Sequence, residues 1–162
     1  MEAMVSIRPA STPSAVDAVR FLFGEYGQTP GVGVCVTGFA GEIAALPSGY
    51  DLLLLVEIDG APAGCAALRE LGGEGELKRL YVRHSARGSG AGRLLVQAVI
   101  DAARVRGYRF LRLDTLPSMV SAIRLYESLG FTPAQPYYPG APAESRFFEL
   151  DLAAGLPAGP RR

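Results

Sequence analysis

Few folds accommodate residues 76–95 of this chain. Glu76 to Val82 reads as a strand, Arg87 to Gly92 as a turn with glycine at positions 88, 90 and 92, and Arg93 onward as a long helix. Period-two alternation in the strand predicts Leu77, Arg79 and Tyr81 on one face and Lys78, Leu80 and Val82 on the other. From Arg93 to Val105, the residues Leu94, Leu95, Ala98, Val99, Ala102 and Val105 recur at helical spacing. A helix start has backbone N–H groups without partners and a partial positive charge. Glycines let a ligand approach that backbone closely. The combination predicts a phosphate site built from N–H groups more than from side chains.

The remaining segments place this stretch late in one domain. Val5-Ser-Ile-Arg8 is a short strand ended by Pro9. Ser11 or Thr12 is positioned to cap a helix running to about Tyr26, with Pro13 in its first turn. Gly27–Gly33 is a loop, and a shorter helix follows over Phe39–Leu46. Leu52–Ile58 is a nearly continuous apolar strand, so both its faces should be covered. Asp59-Gly60 predicts a hairpin to a strand over Pro62–Glu70, and Leu71–Gly75 a second turn before Glu76. The long helix should end at Gly107. Phe110–Asp114 is the next strand, parallel to the strand at Glu76 because a helix connects them. A helix starting at Pro117 or Ser118 ends at Gly130. Phe131-Thr132 begins a strand broken by Pro133, residues 133–144 are loop, and Arg146–Leu152 is a last strand. The expectation is one mixed α/β domain over residues 1–152, with 153–162 a frayed tail.

Composition removes several classes of function. Sixteen basic and sixteen acidic residues cancel among the 162, so there is no overall electrostatic case for nucleic acid or an anionic membrane. Lys78, Arg79, Arg83, Arg87 and Arg93 concentrate around the glycine turn, which suits a small polyanion. Cys35 and Cys65, with His84 the only histidine, have no metal-ligand spacing, so no metal is expected. The thiols are expected to be reduced, in a cytoplasmic protein. No apolar run approaches the roughly 20 residues of a membrane span, and the first residues lack the pattern of an export signal.

Two frames fit the glycines. A dinucleotide fingerprint, G-x-G-x-x-G, finds no register that uses all three, and a hairpin precedes the turn where that fold needs βαβ units. The frame R-x-x-G-x-G fits Arg87, Gly90 and Gly92. With it the chain resembles the GCN5-related N-acetyltransferase (GNAT) superfamily. Lys78-Arg-Leu-Tyr-Val82 resembles that superfamily's fourth strand, Leu125-Tyr-Glu-Ser-Leu-Gly-Phe131 its closing L-Y-x-x-L-G-F signature, and Ile7-Arg-Pro9 its opening strand. The resemblance implies an acyl-CoA N-acyltransferase fold: a mostly antiparallel central sheet whose parallel fourth and fifth strands splay apart, with flanking helices.

It also implies a function, acetyl-CoA-dependent transfer to a small amine, amino-acid-like in one variant, through a ternary complex. The alternatives are a non-catalytic CoA-binding module and transfer onto a protein N-terminus or lysine. By resemblance, Leu80, Tyr81 and Val82 would line the cofactor arm, and Arg87, Gly88, Ser89, Gly90, Ala91, Gly92 and Arg93 would hold its pyrophosphate. Tyr126 matches the usual general acid. Glu76, eleven positions before Arg87, matches the strand-four glutamate that serves as base in a subset of the superfamily; the competing reading is a strand-end carboxylate paired with Lys78. The oxyanion donor would be the Val82 or Leu80 N–H. Met119 stands where the superfamily often carries an asparagine, with Ser118 and Ser121 as stand-ins, and His84 reads as a surface residue. The acceptor site would be built from Glu25–Phe39, with Glu25, Tyr26 and Thr37, and from Gln135–Ser145, with Tyr137, Tyr138 and Glu144. Arg146, Arg79 or Arg69 would meet an acceptor's carboxylate. A monomer or homodimer is expected.

Overall fold

A computed structural model describes residues 2–32 and 38–153. Cys35, Thr37 and the tail beyond Ala153 lie outside the described residues. The elements in chain order are β1 (Val5–Pro9), α1 (Pro13–Gly27), α2 (Phe39–Ala45), β2 (Leu52–Ile58), β3 (Ala61–Leu71) and β4 (Glu74–Val82). After them come α3 (Ala91–Val105), β5 (Phe110–Thr115), α4 (Val120–Ser128), β6 (Thr132–Ala134) and β7 (Arg146–Asp151). The strands form one seven-stranded sheet in the order β1-β2-β3-β4-β5-β7-β6. Every neighbouring pair is antiparallel except β4 and β5, which run parallel.

Local chemistry accounts for the boundaries. Thr12 caps α1, its Oγ1 accepting from the Ala15 N–H at 3.2 Å. Asp59 and Gly60 both take positive φ, 52° and 84°, the pair a two-residue hairpin of matching twist demands. Gly72 and Gly73, at 62° and 86°, do the same between β3 and β4. β4 therefore starts at Glu74, two residues earlier than the sequence pattern predicts. Helix α3 also begins early, at Ala91, because Gly90 itself is the N-cap. Helix α4 starts later than Pro117 or Ser118, with Met119 as N-cap. Pro133 lies within β6, an edge strand, where its missing N–H is tolerated.

The sheet separates two cores. On one face α3 and α4 bury Leu95, Val99, Ile123 and Tyr126 against Leu54, Val56 and Leu111. On the other α1 buries Val19, Leu22 and Phe23 against Leu53, Leu55 and Cys65. The β2 strand feeds both, as its unbroken apolar run requires. No described helix is long and apolar enough to cross a membrane.

One expectation fails inside β4. Leu77, Leu80 and Val82 all pack on the α3/α4 side, whereas Tyr81 packs on the α1 side. The alternation is broken at Arg79, whose φ is 56°. There the β3–β4 register slips between Cys65 and Ala67. This is a β-bulge: one extra residue re-aims every side chain beyond it.

Candidate active site

The bulge sits where β4 leaves β5. The two strands pair only at Gly75 with Leu111 and Glu76 with Arg112. Beyond these, β4 runs on to Val82 and β5 to Thr115 without pairing, leaving a wedge with free N–H and C=O groups on its walls. Leu80 and Val82 pack into the core on one side of the wedge. On the other side the Tyr81 hydroxyl donates to Glu25 at 3.0 Å.

A 3-10 turn, His84–Ala86, joins β4 to the glycines. Gly88 and Gly90 have φ of 84° and 87°, a region costing other residues about 1–2 kcal/mol. Nothing lies within 4 Å of a Cβ built on either, so conformation rather than crowding calls for glycine. Ser89 Oγ donates to the Ala86 carbonyl (2.5 Å) and accepts from the Ala91 N–H (3.3 Å), closing the turn on itself. Arg87 Nε donates to the Val82 carbonyl at 3.4 Å and Arg93 Nη2 to Ser128 Oγ at 2.8 Å. The first-turn N–H groups at Gly92 and Arg93 have no carbonyl one turn back within the helix to serve them. The turn is thus built by backbone, with its arginines steadying the surroundings.

A cavity of about 310 Å³ opens on the same wedge. One part of its wall is Leu77, Leu80, Met119 and Tyr126; another is polar, with Arg69, Lys78, Arg79, Glu42, Asp114 and Tyr138. Tyr126 is 5% exposed, and its hydroxyl has no hydrogen-bond partner among the described residues. Burial pushes its pKa above the ordinary phenol value, with Tyr26 and Asp114 adding to the shift. It therefore stays protonated near neutrality. Asp114 accepts from the Tyr138 hydroxyl at 2.6 Å and from Lys78 Nζ at 3.3 Å. Burial, then the bond to Asp114, raises the Tyr138 pKa.

Glu76 occupies a different place. It is 1% exposed and does not line the cavity. Its carboxylate accepts from Arg69 Nε at 2.6 Å and from the Tyr137 hydroxyl at 2.5 Å, with Lys78 Nζ 3.8 Å away. Lys78 thus bridges the enclosed carboxylate and the one in the cavity wall.

The two segments expected to meet an acceptor contribute unequally. Tyr26 lines the cavity, but Glu25 turns to Tyr81 and Arg83 along a separate open groove that also holds the exposed His84. The Gln135–Ser145 loop supplies Tyr138, Pro142 and Ser145 to the wall, while Tyr137 reaches Glu76 and Glu144 is exposed outside the lining. Arg146 is exposed and stacked over Phe148 at 5.0 Å, away from the lining.

Sequence reasoning missed Asp114 and Glu42. Asp114 had a usable signal, since it sits near the carboxyl end of the strand that borders the wedge. Glu42 had none: its role comes from a bidentate pair with Arg79, at 2.8 and 2.9 Å, across 37 residues. Among the described residues no group of three or more His, Cys, Asp or Glu side chains is arranged for a metal ion.

Comparison with known proteins agrees with this geometry. The profile of the acetyltransferase (GNAT) family matches residues 33–131. An uncharacterised N-acetyltransferase of Schizosaccharomyces pombe is 36% identical over 141 residues, 83% of this chain and 86% of that protein. A putative acetyltransferase from Salmonella typhimurium, solved with acetyl-CoA, superposes with a TM-score of 0.72 at 22% identity, covering 97% of this chain and 98% of that one. The ribosomal-protein-S18-alanine N-acetyltransferase of Escherichia coli superposes with a TM-score of 0.68 at 23% identity, covering 92% and 94%. The splayed strand pair, the glycine turn and the sequence match together make this chain a member of the GNAT N-acetyltransferase family.

Proposed function

We propose that this protein transfers the acetyl group of acetyl-CoA directly to a small amine, with both substrates bound together. The observation that carries this reading is the sequence of features along one wedge: the glycine turn at the mouth, the unpaired β4 edge beside it, and Tyr126 with Asp114 lining one cavity. These residues fit the donor. The N–H groups from Gly88 to Arg93 suit its pyrophosphate, and the free edge of Leu80 to Val82 suits an extended arm bearing amides.

The reaction forms a nitrogen–carbon bond and breaks a carbon–sulfur bond. The acceptor's ammonium must first lose a proton. We assign that proton to Asp114, the carboxylate in the cavity wall. Glu76 holds Arg69, Lys78 and Tyr137 in place behind it, which departs from its expected role as base. A backbone N–H at Leu80 or Val82 steadies the oxyanion. Tyr126 protonates the departing sulfur. The wall supplied by the 135–145 loop supports a small acceptor over a polypeptide one. We place the protein in the cytoplasm, as a monomer or a homodimer.

The test is amine-dependent thiol release from acetyl-CoA across a panel of small amines, alongside calorimetric titration with CoA. Amine-dependent release is expected; no CoA binding overturns the reading. The enclosure of Glu76 favours a second reading, a CoA-binding module without catalysis. It predicts tight CoA binding and no transfer to any amine.

A further inference from the structure

We propose that the acceptor carries a carboxylate as well as its amine, as an amino acid does, and that Arg69 is the residue that grips the carboxylate. The inference rests on the reading of the cavity as the acceptor site. It begins from which cations in the wall are already used. Arg79 gives Nε and Nη2 to Glu42 and lies over the Phe39 ring at 5.2 Å. Lys78 stands between Asp114 and Glu76. Arg69 is different. Its Nε donates to Glu76, and the N–H bonds of both terminal nitrogens have no acceptor among the described residues. Its side chain is 37% exposed and lines the cavity. The Glu76 bond fixes the guanidinium plane, so a planar fork is presented in one orientation, the geometry that meets a carboxylate through two parallel hydrogen bonds.

Charge balance points the same way. In and just behind the cavity, Arg69, Lys78 and Arg79 face Glu42, Glu76 and Asp114. The set is neutral as it stands. An alkylammonium would bring an uncompensated fourth cation into a half-enclosed space, whereas a zwitterion enters without disturbing the balance. Arg69, on β3, pairs across the strands with Glu76 on β4, which in turn pairs with Arg112 on β5, two residues before Asp114. The carboxylate grip and the carboxylate that takes the proton therefore stand on separate strands, on either side of Lys78.

The experiment compares acetyl transfer to L-amino acids, to their carboxamides and to the amines left when the carboxylate is removed, with α-, β- and γ-amino acids as further arms. Wild-type protein is expected to prefer at least one amino acid over its carboxamide by about 10–100-fold in kcat/KM, the range of one charge-assisted contact. Arg69→Gln should erase the preference by raising the acceptor's KM, with the KM for acetyl-CoA unchanged. Arg69→Lys, which keeps a cation beside Glu76, should retain part of it and covers the case in which the glutamine variant does not fold. Equal use of amino acids and carboxamides by wild type, or a preference that survives in Arg69→Gln, overturns this proposal while leaving N-acetyl transfer standing. Absence of transfer to every arm overturns both.

Discussion

Burial keeps the Tyr126 phenol protonated, which suits the proton donor we propose it to be. A phenol in water already stays protonated at pH 7, and enclosure against Phe131 and Phe148 raises its pKa further. Among the described residues its hydroxyl has no hydrogen-bond partner that it would have to surrender to reach a thioester sulfur. Tyr126→Phe removes that donor and little volume, so kcat should fall about 10²-fold or more while calorimetry gives an unchanged affinity for CoA; unchanged turnover would show that the acid is elsewhere. The two carboxylates make a sharper pair. Asp114→Asn should lower kcat about 10²-fold or more while CoA still binds. Glu76→Gln should largely spare kcat but leave Arg69 and Lys78 short of a counter-charge, costing about 1–3 kcal/mol of stability by urea unfolding. An exchange of those two phenotypes would return the base to Glu76. Tyr126 was legible because it sits in a local motif, L-Y-x-x-L-G-F. Asp114 carries a weaker signal, its place near the carboxyl end of β5; that β5 has parted from β4 by then is a long-range property no local motif records.

The same contrast holds for β4. Its existence, the glycine turn after it and the parallel partner across α3 all follow from periodicity, turn chemistry and the handedness of crossovers. The bulge does not, because Arg79 in a left-handed conformation is stable only where tertiary contacts hold it. Those contacts are Glu42 and Phe39 from α2. The bulge also needs a close neighbour on β3. A Cβ on Gly64 would come 2.6 Å from the Tyr81 carbonyl oxygen and 3.3 Å from the Val82 Cα, and neither backbone atom can swing aside. Gly64→Ala should therefore push β4 outward, costing about 1–3 kcal/mol and weakening CoA binding although residue 64 lies outside the wedge. Gly24→Ala, where nothing lies within 4 Å of the added carbon, is the matched control. Equal CoA affinity in both variants would show that the β3–β4 spacing does not set the width of the wedge.

The Glu42–Arg79 pair joins the helical layer of α2 to the bulge, and through it stability should depend on pH with a predictable sign. Burial pushes the Glu42 carboxyl up, but the hydrogen bonds and charge of Arg79 outweigh it and leave the pKa below the usual carboxylate range. The folded protein therefore binds this proton more weakly than the unfolded chain does. The contribution is complete above the unfolded value, about 4.3 for a glutamate, and drains away as pH falls through the lower folded value. Other acidic groups titrate in the same range, so a single stability curve would mix them. The difference between wild type and Glu42→Gln isolates the pair, because every other group is common to both and Arg79 stays charged throughout. That difference should be about 1–3 kcal/mol at pH 7 and should shrink steadily as pH falls below the unfolded value and through the lower folded one, measured by urea unfolding at each pH. A difference that persists undiminished in acid would mean that Glu42 contributes by packing and neutral hydrogen bonding. The bulge would then be held by Phe39 and the strand, with no part for the ion pair.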